Sequence, residues 1–223
     1  MSRPSAVATY AAQAKRASGG AAAAALLTGG ESFQHPEGGA KVDWLTVTFL
    51  PEPDEHPGLN CHDQLLTWLG GSVFGEECAG MLGYDHGVRY YIPVNGTPIF
   101  IGRCDWGGDF KKGRARLDLS GTGCSKVADW HAVRQWAESL IQPVITRVDL
   151  AVDCLQGEFS IEDAVAWYQG GEFNAGGRNP RHSTPGDWLN PHYGRTLEIG
   201  RRTNGKMLRA YEKGRQLGDP DSP

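Results

Sequence analysis

Arg195–Lys213 reads RTLEIGRRTNGKMLRAYEK, and this stretch decides what kind of sheet the chain builds. Asn204-Gly205, set between two runs rich in alternating residues, is the strongest hairpin signal in the chain. A two-residue loop there predicts strands over Arg195–Arg202 and Lys206–Lys213. It sets Thr203 against Lys206, Glu198 against Tyr211 and Thr196 against Lys213. Side chains alternate along a strand, so Arg209, Tyr211 and Lys213 share one face, with Glu198 across from the tyrosine. A phenol between two cations suits a phosphodiester. Its oxygen can attack phosphorus, and the cations stabilise the charge that develops there. A surface tyrosine among routine salt bridges shows the same pattern. Between Arg195 and Arg215, however, seven basic residues stand against Glu198 and Glu212. Clusters of that kind mark nucleic-acid contact surfaces. Arg201, Arg202 and Lys206 supply its turn end.

Working outward, Arg147-Val148-Asp149-Leu150-Ala151-Val152-Asp153 alternates cleanly. It predicts a strand over Ile145–Cys154, with Val148, Leu150 and Val152 on the core side and both aspartates opposite. Strands are also predicted at Val42–Phe49, Tyr84–Pro93, Pro98–Cys104 and Arg114–Ser120, with turns at Asn95-Gly96 and Gly107-Gly108. Helical spacing marks His62–Leu69 and Lys126–Leu140. Ser160 caps a helix over Ile161–Tyr168, with Asp163 completing a capping box. Gly170–His192 reads as loop. The expected fold is α+β, a mixed and mostly antiparallel sheet with helices packed on one face.

Carboxylates on regular strand faces suggest a hard-cation site, because Mg²⁺ takes oxygen ligands. Asp118, Asp149 and Asp153 are the candidates. At ~3.3 Å per residue, Asp149 and Asp153 lie about 13 Å apart along the strand. A single ion therefore does not take both. Asp118 can join Asp149 if their strands are neighbours. The same acids equally fit ordinary pairs with Arg116 and Arg147.

The 223 residues carry a formal net charge of −4, so the basic hairpin is a local excess. No apolar run nears the ~20 residues of a membrane helix. Five cysteines are scattered without a C-x-x-C, which indicates reduced thiols rather than a disulfide framework or zinc ribbon. The seven histidines form no H-x-H or H-x-x-H pair. Residues 1–40 hold twelve alanines and read as a flexible tail, with a transient helix over Val7–Ala17. The seven-residue apolar run Ala21–Leu27 after Lys15 and Arg16 loosely resembles a secretory signal, but Gly19-Gly20 interrupts it upstream and no small-x-small cleavage site follows.

Three blocks together resemble the replication initiation factors of filamentous phages and of staphylococcal-type rolling-circle plasmids. They are Ala115–Cys124 (ARLDLSGTGC), Thr146–Asp153 (TRVDLAVD) and Thr196–Gly218 (TLEIGRRTNGKMLRAYEKGRQLG). Val42–Phe49 (VDWLTVTF) fits the family's opening strand. The resemblance implies a site-specific DNA nickase-ligase over residues 41–223 that starts rolling-circle replication. Tyr211, in Arg209-Ala210-Tyr211-Glu212-Lys213, corresponds to the nucleophile that forms a 5′-phosphotyrosine. Mg²⁺ or Mn²⁺ is expected on some of Asp118, Asp149, Asp153 and Glu198, unless Glu198 instead takes the phenol proton. Arg209, Lys213, Arg201, Arg202 and Lys206 are expected to hold the DNA backbone. The resemblance further implies origin DNA, single-stranded or supercoiled, a host helicase and polymerase, a homodimer in plasmid relatives, and the cytoplasm of a bacterial host. It also implies a further acidic strand after Pro223, so the domain is expected to be cut short at its C-terminal end. A non-catalytic origin-binding remnant and a relaxase of a mobile element are the alternatives.

Overall fold

The computed structural model describes residues 40–154, 157–174, 176–189, 192, 194–216 and 218. The Ala/Gly-rich tail, its transient helix and the chain's last five residues lie outside these. The described residues divide at Val152–Asp153 into two compact units. All pairings are antiparallel, so the α+β expectation holds and its mixed component is absent among the described strands.

The first unit is a six-stranded sheet in the order β2-β3-β4-β5-β1-β6. Its strands are β1 (Lys41–Leu50), β2 (Phe74–Ala79), β3 (His86–Val94), β4 (Thr97–Trp106), β5 (Ala115–Leu119) and β6 (Ile141–Ala151). Three helices interrupt them: α1 (Pro57–Leu69), α2 (Gly121–Ser125) and α3 (Trp130–Ser139). Leu45, Val47, Phe49, Tyr90, Leu117 and Leu119 meet Cys61, Leu65 and Trp68 of α1 and Val133 and Trp136 of α3 in one core. Trp136 packs edge-on against both Phe49 and Trp68. That geometry suits the quadrupoles of the rings and adds to the area they bury.

Several boundaries differ from expectation for identifiable reasons. Helix α1 begins five residues early because Pro57 occupies its first turn, where a missing N–H costs nothing. His56 caps it by accepting from the Leu59 N–H at 3.3 Å. The helix expected over Lys126–Leu140 starts only at Trp130, where Asp129 accepts from the His131 N–H at 2.7 Å. β2 carries Gly75, Glu76 and Glu77 and is almost wholly exposed, so its sequence shows no alternation. β6 is an edge strand and therefore tolerates Pro143 within it. Its apolar row is not core: Val148, Leu150 and Val152 are 41–51% exposed. Val148 sits opposite buried Leu45, but α1 and α3 cover the inner strands and leave the edge uncovered.

The second unit pairs β7 (His182–Ser183), β8 (Thr196–Arg201) and β9 (Lys206–Tyr211). α4 (Ile161–Gln169) covers one face, with Ile161 and Ala164 against Leu197 and Ile199. The predicted capping box is present in full: Ser160 and Asp163 each satisfy the other's backbone N–H. A short helix, α5 (Lys213–Gln216), follows β9.

The hairpin register differs by two residues from the expected one. Glu198 faces Arg209, and Thr196 faces Tyr211. The loop has four residues, Arg202–Gly205, because Arg202–Asn204 tightens into a 3-10 turn closed by the Gly205 N–H on the Arg202 carbonyl at 3.0 Å. The same dipeptide at Asn95-Gly96 does make the two-residue loop, with Val94 opposite Thr97. There Asn95 and Gly96 both take positive φ; at the second site only Gly205 does. A shift of two keeps every side chain on its face, so Arg209, Tyr211 and Glu198 still point the same way. Lys213 does not share that face, since β9 ends at Tyr211.

Candidate functional site

Tyr211 closes β9 and is 40% exposed. Leu197, Ile199 and Ala210 turn inward to α4, which leaves Thr196, Glu198, Arg209 and Tyr211 on the outer face. Arg209 does not stand free beside the tyrosine. Its Nε donates to Glu198 at 3.0 Å and its Nη2 to the same carboxylate oxygen at 2.5 Å. Ser183 on β7 donates to the second oxygen of Glu198 at 3.1 Å. These bonds, Arg209's first, hold the Glu198 carboxyl below the usual glutamate range. A carboxylate so stabilised is a weak proton acceptor. In this register Glu198 orients Arg209; it is a diagonal neighbour of Tyr211 rather than its partner.

The remaining cations separate into two groups. Lys213 pairs with Asp153 at 3.2 Å, which brings that aspartate to the Tyr211 end of the hairpin. Arg195 joins Glu162 of α4 to Glu212, with Nη2 donating to Glu212 at 2.7 Å and the Arg195 N–H donating to its other oxygen at 2.7 Å. Its guanidinium also lies 5.6 Å from the Trp188 ring centre. Both glutamates are held below their ordinary range by Arg195, whose own pKa is raised by them. Arg195 is thus a brace inside the unit. Arg201, Arg202 and Lys206 are exposed at the turn and make no ion pair with a described residue. They stand about 17 Å from Tyr211 along the strand, at ~3.3 Å per residue.

In the six-stranded unit, Asp118 and Asp149 lie on the face away from α1 and α3. Asp118 opposes Thr46, and Asp149 opposes Trp44. Asp118 is 8% exposed and accepts from Trp44 Nε1 at 2.8 Å, from the Thr46 hydroxyl and from Arg116. Arg116 reaches on to Asp105, which is fully buried and also gripped by Arg103. Asp149 receives both Nε and Nη2 of Arg147, whose guanidinium lies 4.1 Å from the Trp44 ring centre. The alternative reading of these acids, pairs with Arg116 and Arg147, is therefore the one present. Among the described residues no three of His, Cys, Asp and Glu gather where they could hold a metal ion. As arranged, the candidate acids each answer a cation and do not fit a divalent ion. Ser183 and Trp44, which fix Glu198 and Asp118, were invisible in the sequence: one falls in the stretch Gly170–His192 that reads as loop but supplies β7, and the other reads as strand filler.

The replication initiation factor family model matches residues 143–222, about a third of the chain. The match takes in β6 from Pro143 onward, α4 and the whole Tyr211 hairpin. It bears out the resemblance read at Thr146–Asp153 and Thr196–Gly218, and supports a role in starting replication at a DNA origin. No curated protein and no solved structure matches the chain. Among the described residues no helix is long and apolar enough to cross a membrane.

Proposed function

We propose that the chain cleaves and rejoins one strand of DNA at a replication origin, with Tyr211 as nucleophile. The observation that carries this reading is an exposed tyrosine on an open sheet face, beside an arginine held in place, inside the segment that matches the family. The phenol loses its proton as its oxygen bonds to phosphorus. The 3′ oxygen leaves, takes up a proton, and the 5′ end stays on Tyr211 as a phosphotyrosine. Rejoining reverses these steps. Arg209 stabilises the charge on the phosphoryl oxygens, and Arg201, Arg202 and Lys206 hold phosphates toward the turn. Lys213 joins them by exchanging Asp153 for phosphate. A requirement for Mg²⁺ or Mn²⁺ is proposed with this reading, with Asp118, Asp149 or Asp153 exchanging its cation partner for the ion.

The test is a supercoiled plasmid carrying the origin, incubated with protein and either ion. Wild type should yield nicked circles and a DNA–protein adduct that survives denaturant. Tyr211→Phe should yield neither, and EDTA should suppress both. Equal nicking by Tyr211→Phe sinks the assignment. One observation favours the second reading, origin binding without cleavage: the cations flanking Tyr211 already answer Glu198 and Asp153. That reading predicts salt-sensitive origin binding and no adduct.

A further inference from the structure

The face of the six-stranded sheet away from α1 and α3 carries a feature that the tyrosine hairpin does not use. Phe74 of β2, Tyr91 of β3 and Phe100 of β4 are cross-strand partners and form one row. Tyr90 donates its hydroxyl to the Gly58 carbonyl of α1 at 2.7 Å, so the next residue, Tyr91, points to the opposite face. The Phe74 and Tyr91 rings stack with centroids 5.5 Å apart and 17° between planes. Phe100 meets Tyr91 edge-on at 5.9 Å. Phe74 and Phe100 are 43% and 38% exposed. β2 is an edge strand, so no described strand stands beyond Phe74.

Two features of the adjoining row say what such rings can hold. The Tyr91 hydroxyl donates to Glu76 at 3.1 Å, which fixes the central ring. Arg89, opposite Glu76, is exposed and makes no ion pair with a described residue. A ring stack already ordered by its neighbours loses little freedom when one more flat ring is added. An available guanidinium one row away complements a phosphate. Bases on aromatic rings with cations on the backbone are the physics of single-strand binding.

We propose that this row is a stacking platform for single-stranded DNA. One base continues the stack on the outer side of Phe74, a second packs against Phe100, and Arg89 meets a phosphate of the same segment. The choice of DNA as occupant rests on the replication reading; the platform itself rests on the rings and Arg89. Stacking needs no particular base, so the surface holds a strand without reading its sequence.

Binding of a short fluorescent oligo-dT to the full chain, followed by anisotropy, tests this apart from cleavage, because oligo-dT contains no origin. Phe74→Leu and Phe100→Leu keep apolar area but remove the π face. Each should weaken binding about ten-fold, and Phe74→Trp should preserve it. Arg89→Ala should lower the slope of log affinity against log salt by about 0.7. Ultraviolet crosslinks should fall on peptides from β2, β3 or β4. Unchanged affinity in the double leucine variant overturns the proposal, as do crosslinks confined to other segments or wild type that does not bind oligo-dT. Ring-dependent binding with no plasmid nicking would remove the nickase reading and leave the platform standing.

Discussion

Arg195 shows how far a residue's role can depart from its charge. Counted in sequence, it is one of seven cations on a DNA-contacting hairpin. Folded, it ties α4 to the end of β9 through Glu162 and Glu212. Arg195→Met should cost the hairpin unit about 1.5–3 kcal/mol, the range for hydrogen bonds to charged groups, read by urea unfolding. The pH dependence follows from the same pair. Arg195 holds Glu212 below its ordinary value. A depressed carboxyl contributes stability that is fully present above the unfolded pKa, roughly 4.3, and is lost as pH falls through the folded pKa. Wild type should therefore weaken below about pH 4, whereas Glu212→Gln should start weaker and show a shallower loss there. Urea unfolding of both proteins across this pH range checks this; parallel curves would remove the pair from the account.

At the scale of the element, the hairpin was legible and its register was not. Alternation and Asn204-Gly205 announce two strands and put Arg209 beside Tyr211. Which residue faces the tyrosine depends on whether the loop closes over two residues or four. That is settled by the 3-10 turn at Arg202–Asn204 and by Gly200. Gly200 sits in β8 at φ +88°, and a Cβ there would lie 2.5 Å from the Lys206 carbonyl oxygen. Only glycine takes that backbone beside its partner strand without strain. Gly200→Ala should destabilise the hairpin by about 1–3 kcal/mol and shift the β8–β9 register. Changed amide exchange over Lys206–Tyr211, together with lower nicking activity, would be the sign. An unaltered protection pattern would show that the loop alone sets the register.

At the scale of the whole molecule, the acids of the six-stranded unit support the sheet. Arg103, Asp105, Arg116 and Asp118 form a buried chain in which each charge meets an opposite one. Removing one partner from such a chain leaves a buried charge uncompensated. Arg116→Met should cost about 3 kcal/mol in urea unfolding of this unit. A loss below roughly 0.5 kcal/mol would mean that Trp44 and Thr46 satisfy Asp118 unaided. The sequence by itself determined the α+β class, most strands and helices, the capping box at Ser160 and the tyrosine with its arginine. Those rest on periodicity, caps and turn residues, which act over a few positions along the chain. Only the tertiary structure decided which carboxylate faces which cation. Glu198 goes to Arg209, Asp153 to Lys213 and Asp118 to Arg116, and Phe74, Tyr91 and Phe100 align in one row. Those outcomes depend on cross-strand register and strand order, and no local pattern encodes them, because a two-residue slip preserves every face while changing every partner.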